Sequence, residues 1–392
     1  MKLLIPTRVQ EKVRFTIQKE IDFINLTEKQ KLNLNKKLLS LWYFIYYKQK
    51  KDDNIITLDG YVNIHSDELK SFLFKYNENK YHYNKLLILL KDVNLIDIND
   101  RYSANKFSQS YRISTDILDN NFEEVEIDFE KIFYNLKNKL YWLKKYTNFK
   151  KQINETYEVK IDLNDYIIWL KENINLELKP VINNGILERR FLTKERIWDY
   201  INDALMINYD NIWFKVSNEG RFYNSTTNLS YTALPFIKLK RRSIKEIDVA
   251  NCQPLILSKL INNNEYKSDC ELGIFYDNLS RELNITRNEA KVLSYKYIFF
   301  SNKKLKTGKI YNAMEKLYKG VIEQINELRD KIEISKEMQK IESDIFVNKI
   351  SNLDFKMMLR HDAVYVYEED YDIIKSYVIR EFNKIGLNPT IK

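Results

Sequence analysis

The chain has 392 residues, and 64 Lys+Arg against 55 Asp+Glu give a formal charge of +9; that is more chain than one core usually organises, so two or three domains are expected, and nucleic acid is the foremost partner class. Two cysteines, Cys252 and Cys270, with no Cys-x2-Cys or His cluster beside them, exclude a disulfide framework and a zinc site, and no apolar run has signal-peptide or membrane-spanning length, so a soluble, cytoplasmic protein with no membrane partner is expected. Seven glycines exclude a Gly-rich phosphate loop of the Walker or Rossmann type, so a triphosphate must be held by side chains.

Residues 32–47 have helical apolar spacing and read as a buried helix whose aromatics belong to the core. After the turn at Asp59-Gly60, Ser66 with Asp67 and Glu68 starts a helix, and residues 80–90 form another that ends near Asn94. Two strands, 95–99 and 109–113, are joined by a basic polar segment. Helix, helix, basic hairpin is an order that resembles a winged helix, with residues 81–90 as the recognition helix. Lys80, His82 and Lys85 would then be available to a groove, and Arg101, Lys106 and Arg112 would meet phosphates from the wing. The alternative is a helical cap that touches only the rest of the protein, with His65 and His82 as ordinary surface or packing residues.

Residues 119–126 are acidic and read as a linker, which sets a domain boundary near 120. Beyond it, 129–150 repeats aromatic and leucine residues on one face and lysines on the other, predicting an amphipathic helix about 33 Å long. Segments 162–173 and 192–207 read as further helices. No internal repeat or low-complexity tract is present.

Residues 244–252 begin with alternation, so Ile247 and Val249 point to a core while Glu246 and Asp248 share the other face. Gln253-Pro254 stops that strand and a helix restarts over 255–261, leaving Asp248 at an open strand-to-helix corner. Arg287, Lys291 and Tyr295 are four apart and line one helix face for roughly 12 Å, a length that suits a triphosphate and its base. Arg360-His361-Asp362 leads into a strand over 363–367, then a helix over 371–385 capped by Gly386, and a last strand over 387–391. Two carboxylates at neighbouring strand ends can bridge two divalent ions about 3.5–4 Å apart, with Mg2+ the natural choice for oxygen ligands and Mn2+ the alternative.

Taken together and in this order, Glu246-Ile-Asp248, Arg287-x3-Lys291-x3-Tyr295 and His361-Asp362 resemble the motifs of the family A DNA polymerases and the related single-subunit phage RNA polymerases. The resemblance covers residues 217–392. It implies an α+β fold in which a right-hand palm, an antiparallel sheet with helices, is interrupted by helical fingers at about 263–344. A winged-helix-like module (1–120) and a helical thumb-like segment (121–216) would precede it.

By that resemblance Asp248, Val249 and Asp362 bind the metals, and Asp248, Asp362 and Lys291 are catalytic. Arg287, Lys291, Tyr295, Phe299 and Gln253 surround the nucleotide. Arg221, in Gly220-Arg221-Phe-Tyr-Asn, is similar to an arginine that contacts the primer end, and His361 approaches the primer terminus. Lys238, Lys240, Arg241 and Arg242 would meet template or primer phosphates, and Gln339 to Ser343 resembles a helix that precedes the third motif.

Departures from the family pattern are equally plain. Gln253 stands where a ribonucleotide-excluding glutamate is usual, Phe299 replaces a tyrosine, Lys296 and Phe300 replace glycines, and Ala363 follows His361-Asp362. Nothing ahead of residue 217 suggests a proofreading exonuclease. The implied activity is template-directed nucleotidyl transfer, DNA synthesis first. The alternatives are an RNA polymerase or primase on the same palm, or a non-catalytic DNA-binding replication initiator or regulator.

Overall fold

The computed structural model describes residues 2–19, 25–51, 60–72, 74–76, 79–99, 109–114, 116, 121–127, 138–183 and 186–392. The chain divides into two compact units, Met1–Leu136 with Thr193–Asn202, and Lys137–Leu192 with Asp203–Lys392. Both mix helices with small sheets, and every described strand pairing is antiparallel. Among the described residues no helix is long and apolar enough to cross a membrane.

In the first unit, strand β1 (Lys2–Pro6) leads into α1 (Thr7–Lys19) and α2 (Glu28–Lys51). Helix α2 buries Leu38, Leu41, Trp42 and Ile45, and the Trp42 indole N–H donates to the Leu95 carbonyl at 3.3 Å. Then come β2 (Val62–Asn63), α3 (Ser66–Leu69), the hairpin β3 (Phe74–Tyr76) and β4 (Asn79–Tyr81), α4 (Tyr83–Asp92), β5 (Ile96–Asn99) and β6 (Ser110–Ile113). Strands β2, β6 and β5 pair in that spatial order.

Helix α4 begins at Tyr83 rather than residue 80, because Asn79–Tyr81 is taken up in pairing with β3. Arg101 and Lys106, expected on the wing, lie outside the described residues. The expected linker over 119–126 contains a strand instead, β7 (Phe122–Glu126), paired with β1 from Lys2↔Glu126 to Pro6↔Phe122. Its acids give the composition of a linker, but Glu124 and Glu126 are the exposed residues of the strand, and Glu123 meets Arg14 while Glu126 meets Lys36 at 2.7 Å.

The second unit opens with α5 (Lys139–Lys145) and α6 (Lys150–Tyr157). The expected continuous helix over 129–150 is broken: Tyr146 leaves helical geometry (φ −122°, ψ 67°), and Thr147–Phe149 form a 3-10 turn; residues 129–137 lie outside the described set. The break lets the aromatics follow separate partners. The Trp142 indole N–H donates to the Ile212 carbonyl at 3.1 Å, while Phe149 stacks on Phe222 with ring centroids 5.2 Å apart. Next are β8 (Val159–Ile161), α7 (Leu163–Glu172), the hairpin β9 (Glu177–Asn183) and β10 (Ile186–Phe191), and α8 (Lys194–Asn208), whose residues to Asn202 belong to the first unit.

The remaining strands position the site. Strands β11 (Phe214–Val216) and β12 (Phe222–Asn224) form a hairpin, while β13 (Ile237–Leu239) joins β8 to β14 (Arg242–Ser243). Strand β15 (Lys245–Asp248) pairs with β17 (Ala363–Val366), which pairs with β16 (Met357–Arg360). Between β15 and β16 the secondary structure is helical only: α9 (Cys252–Leu257), α10 (Asn264–Glu271), α11 (Phe275–Leu283), α12 (Arg287–Ser294), α13 (Lys309–Leu317), α14 (Val321–Arg329) and α15 (Ile334–Ser343), with shorter turns. Helix α16 (Tyr371–Lys384) closes the unit.

In the three-stranded sheet Ile247, Val364 and Leu359 are in register and all buried, so this face enters the core with Leu255, Phe346 and Phe382. The period of two turns Glu246 and Asp248 to the opposite face. Residues 387–391 do not form the expected strand. Pro389 lacks an N–H, and only a single bridge, Val249↔Ile391, is made.

Candidate active site

Asp248 is the last residue of β15. The chain turns through Asn251, held at a left-handed φ of 55°, into α9, which begins at Cys252, ahead of Pro254. Proline is tolerated there because the first-turn N–H groups have no partner within the helix. Asp362 arrives from the other side. Arg360 pairs directly with Ala363, so His361 and Asp362 form a two-residue hairpin turn, with His361 at φ 57°. A left-handed histidine costs on the order of 1 kcal/mol and persists only where its surroundings fix it. Here its ring meets Tyr223 edge-on at 5.5 Å, and the preceding Arg360 donates to the carbonyls of Thr226 (3.3 Å) and Leu229 (2.7 Å).

Burial, with the Asp362 charge adding to it, lifts the Asp248 carboxyl to about 6; Lys392, 3.8 Å away, opposes the rise. Burial pushes the His361 imidazole below its ordinary value. The bridge to Ile391 carries a further consequence. Ala250 N–H donates to Thr390 O (2.9 Å) and Lys392 N–H to Asp248 O (3.0 Å), so the flanking residues make its hydrogen bonds. In that pattern the central residue turns its own N–H and C=O the other way. The Val249 carbonyl therefore points to the β17 side, next to Asp362.

Helix α12 forms the opposite wall. Thr286 and Glu289 make a reciprocal capping box that fixes its start, with Thr286 N–H to Glu289 Oε2 at 2.8 Å. Arg287 is the first helical residue and is braced by Asp277 (3.2 Å) and the Asn251 side chain (3.3 Å). One turn on, Lys291 has its ammonium 5.8 Å from the Tyr295 ring. At Tyr295 the helix changes to a π-helical turn, Tyr295–Phe299.

Asp248, Asp362, Arg287, Lys291, Tyr295, His361 and Val249 all line one cavity of about 420 Å³. The three fragments that the sequence singles out, separated by up to 114 residues from Asp248 to Asp362, meet there. Glu246, which shares the Asp248 face, lines it too, as do Lys179, Tyr276 and Lys392, which sequence reasoning missed. The buried Nδ2 of Asn251 and hydroxyl of Tyr276 in its wall have no hydrogen-bond partner among the described residues.

Other expected residues lie elsewhere. Phe299 is 1% exposed and packs into the core: the wider π-turn takes it off the face it would hold on an unbroken α-helix. Gln253 is 2% exposed and donates to Glu342. Arg221 also points inward and binds Glu342 at 2.7 Å. Burial lifts the Glu342 carboxyl to about 7, although Arg221 draws it down.

Glu342 was legible in part. The spacing Ile334, Met338, Glu342 puts it on the apolar face of α15, whereas the family resemblance points to Gln339. Lys238, Lys240, Arg241 and Arg242 lie on the β13–β14 hairpin, outside the cavity lining; Lys240 pairs with Glu158 (3.3 Å) and Arg242 with Glu369. In the first unit Arg112 pairs with Asp97 at 2.7 Å and its guanidinium lies 4.8 Å from the Tyr61 ring centroid.

Among the described residues no three His, Cys, Asp or Glu side chains gather as a metal-binding group. Two carboxylates and a backbone carbonyl nevertheless fit Mg2+, which is bound through one or two carboxylates plus substrate phosphates and water. The raised Asp248 carboxyl, crowded by a second acid, marks a spot where a cation is favourable.

The chain matches no protein-family model and no curated protein.

Proposed function

We propose that the protein is a template-directed nucleotidyltransferase that adds deoxynucleotides to a primer 3′-hydroxyl. One observation carries the reading: two strand-end carboxylates and the Arg287, Lys291 and Tyr295 face line a single cavity. At pH 7 a carboxyl at about 6 is some tenfold more often ionised than neutral. Asp248 and Asp362, with the Val249 carbonyl, would hold Mg2+, which when bound lowers the pKa of the attacking hydroxyl and offsets charge on the leaving pyrophosphate.

The remaining work belongs to the protein's own side chains and is mostly positioning. The Arg287 fork, braced by Asp277, orients phosphate oxygens. Lys291 makes no ion pair with a carboxylate among the described residues, so its ammonium is free to take charge from the leaving group. The Tyr295 ring stacks on Phe300 at 5.3 Å and offers its surface to the nucleoside. His361, next to Asp362 in the cavity wall, would approach the primer terminus.

In this reading residues 217–392 of the second unit are a palm with helical fingers. In the first unit, the order α2, β2, α3, α4, β5, β6 with sheet order β2-β6-β5 supports a winged-helix module for duplex contact. Ribonucleotide polymerisation is the second reading, favoured by Gln253, whose side chain is buried against Glu342 and absent from the cavity lining. The purified protein with Mg2+, primed and unprimed templates, and deoxy- or ribonucleotides distinguishes the two. Extension of a primer with deoxynucleotides alone is expected; incorporation of ribonucleotides alone overturns the first reading.

A further inference from the structure

We propose that Lys179, carried by the β9–β10 hairpin, is a further substrate-binding residue of this site and grips the phosphate chain of the incoming nucleotide together with Lys291. The inference rests on reading the cavity as a nucleotide site.

Strand β9 delivers the side chain through a local irregularity. The pairing slips between Val181↔Glu188 and Leu178↔Arg190, so Lys179 and Pro180 together oppose Arg189. Pro180 has no N–H to give to the ladder, and a two-against-one bulge re-aims the side chains beside it. Lys179 lines the cavity with its ammonium 4.6 Å from the centroid of the Tyr231 ring.

What sets Lys179 apart is the state of the other cations in the same cavity. Arg287 is paired with Asp277, Lys392 lies 3.8 Å from Asp248, and Arg360 is used up on two backbone carbonyls. Lys179 and Lys291 meet only aromatic rings, with no carboxylate in ion-pair range among the described residues. Two ammonium groups that line one cavity, neither in direct contact with a carboxylate, repel each other until an anion comes between them. A polyphosphate supplies that anion with several oxygens in a row. Burial lowers the Lys179 ammonium below its ordinary value and the Lys291 and Arg360 charges lower it further, while the more weakly felt Asp248 and Glu246 oppose the shift. The ring of Tyr231 holds the side chain in place without neutralising it.

Lys179→Ala, Lys179→Arg and the wild type are compared in steady-state incorporation and in direct binding of inorganic tripolyphosphate. Loss of one charge-assisted contact should raise the nucleotide KM and weaken tripolyphosphate binding about tenfold, with kcat held within about threefold. Lys179→Arg should recover most of the loss, and primer-template affinity should not change. A wild type that incorporates nucleotides while Lys179→Ala matches it in KM and in tripolyphosphate binding overturns the assignment of Lys179 alone. If the wild type incorporates no nucleotide, the polymerase reading fails; tripolyphosphate binding that depends on Lys179 would then still uphold the anion contact, and binding that does not would end it.

Discussion

Replacing Glu342 by alanine and by glutamine separates the two forces that act on the buried Arg221–Glu342–Gln253 cluster. The Glu342 side chain is 3% exposed and that of Arg221 14%, with 2.7 Å between them. Burial raises the Glu342 carboxyl from an ordinary 4.5 to about 7, so the fold favours its neutral form by ~3 kcal/mol. A raised carboxyl gives stability that is complete below its unfolded value of about 4.5 and is lost as pH rises through about 7.

Glu342→Gln resembles the neutral form. It keeps an oxygen for Arg221, and its N–H can be taken up by Gln253 Oε1, which is buried without a partner among the described residues. This variant should cost under ~1 kcal/mol at pH 6 and be more stable than the wild type at pH 8.5. Glu342→Ala strands a buried guanidinium and should cost ~3–5 kcal/mol at either pH. Urea titrations followed by hydrogen exchange in β12 and α15 report the unit concerned. Equal losses for both variants at pH 8.5 would refute the argument that burial outweighs pairing.

The Asp248 carboxyl must ionise to hold a cation, so Mn2+ affinity should climb through pH 6 and level off above 7; a plateau that extends down to pH 4.5 would contradict this. In the β13–β14 turn Lys240 and Arg241 are both left-handed, at φ 49° and 67°. Replacing both by glycine should leave thermal stability unchanged or raise it by up to ~1 kcal/mol, because relieved strain offsets the added chain entropy. If these cations meet backbone phosphates, the same change should reduce the salt dependence of duplex binding by about two charges; an unchanged slope would remove them from the interface.

Legibility from sequence tracked how local each cause was. The alternation around Ile247 and Val249 and the four-residue spacing from Arg287 are local, and a strand and a helix formed there; but α9 runs from Cys252 to Leu257 with Gln253 and Pro254 inside it, rather than over 255–261, and Tyr295 begins a π-turn. The helix over 129–150 failed because its aromatics answer to the β11–β12 hairpin, a partner some 70 residues away. The linker failed because acidic composition cannot tell a solvated strand face from a connection. Phe299 was misread because nothing in Tyr-Lys-Tyr-Ile-Phe announces a π-turn. Lys179 needed the bulge at Pro180 and the pairing state of four other cations, which only a folded chain displays.

The most direct test of the two-carboxylate site is extension of a primed DNA template with Mg2+ and deoxynucleotides by the wild type, Asp248→Ala and Asp362→Ala, with duplex binding measured alongside. The account predicts extension by the wild type and at least a thousandfold loss (~4 kcal/mol) in each variant, with duplex affinity retained. Extension undiminished in either variant, or a wild type that binds duplex yet incorporates no nucleotide of either sugar, would contradict it.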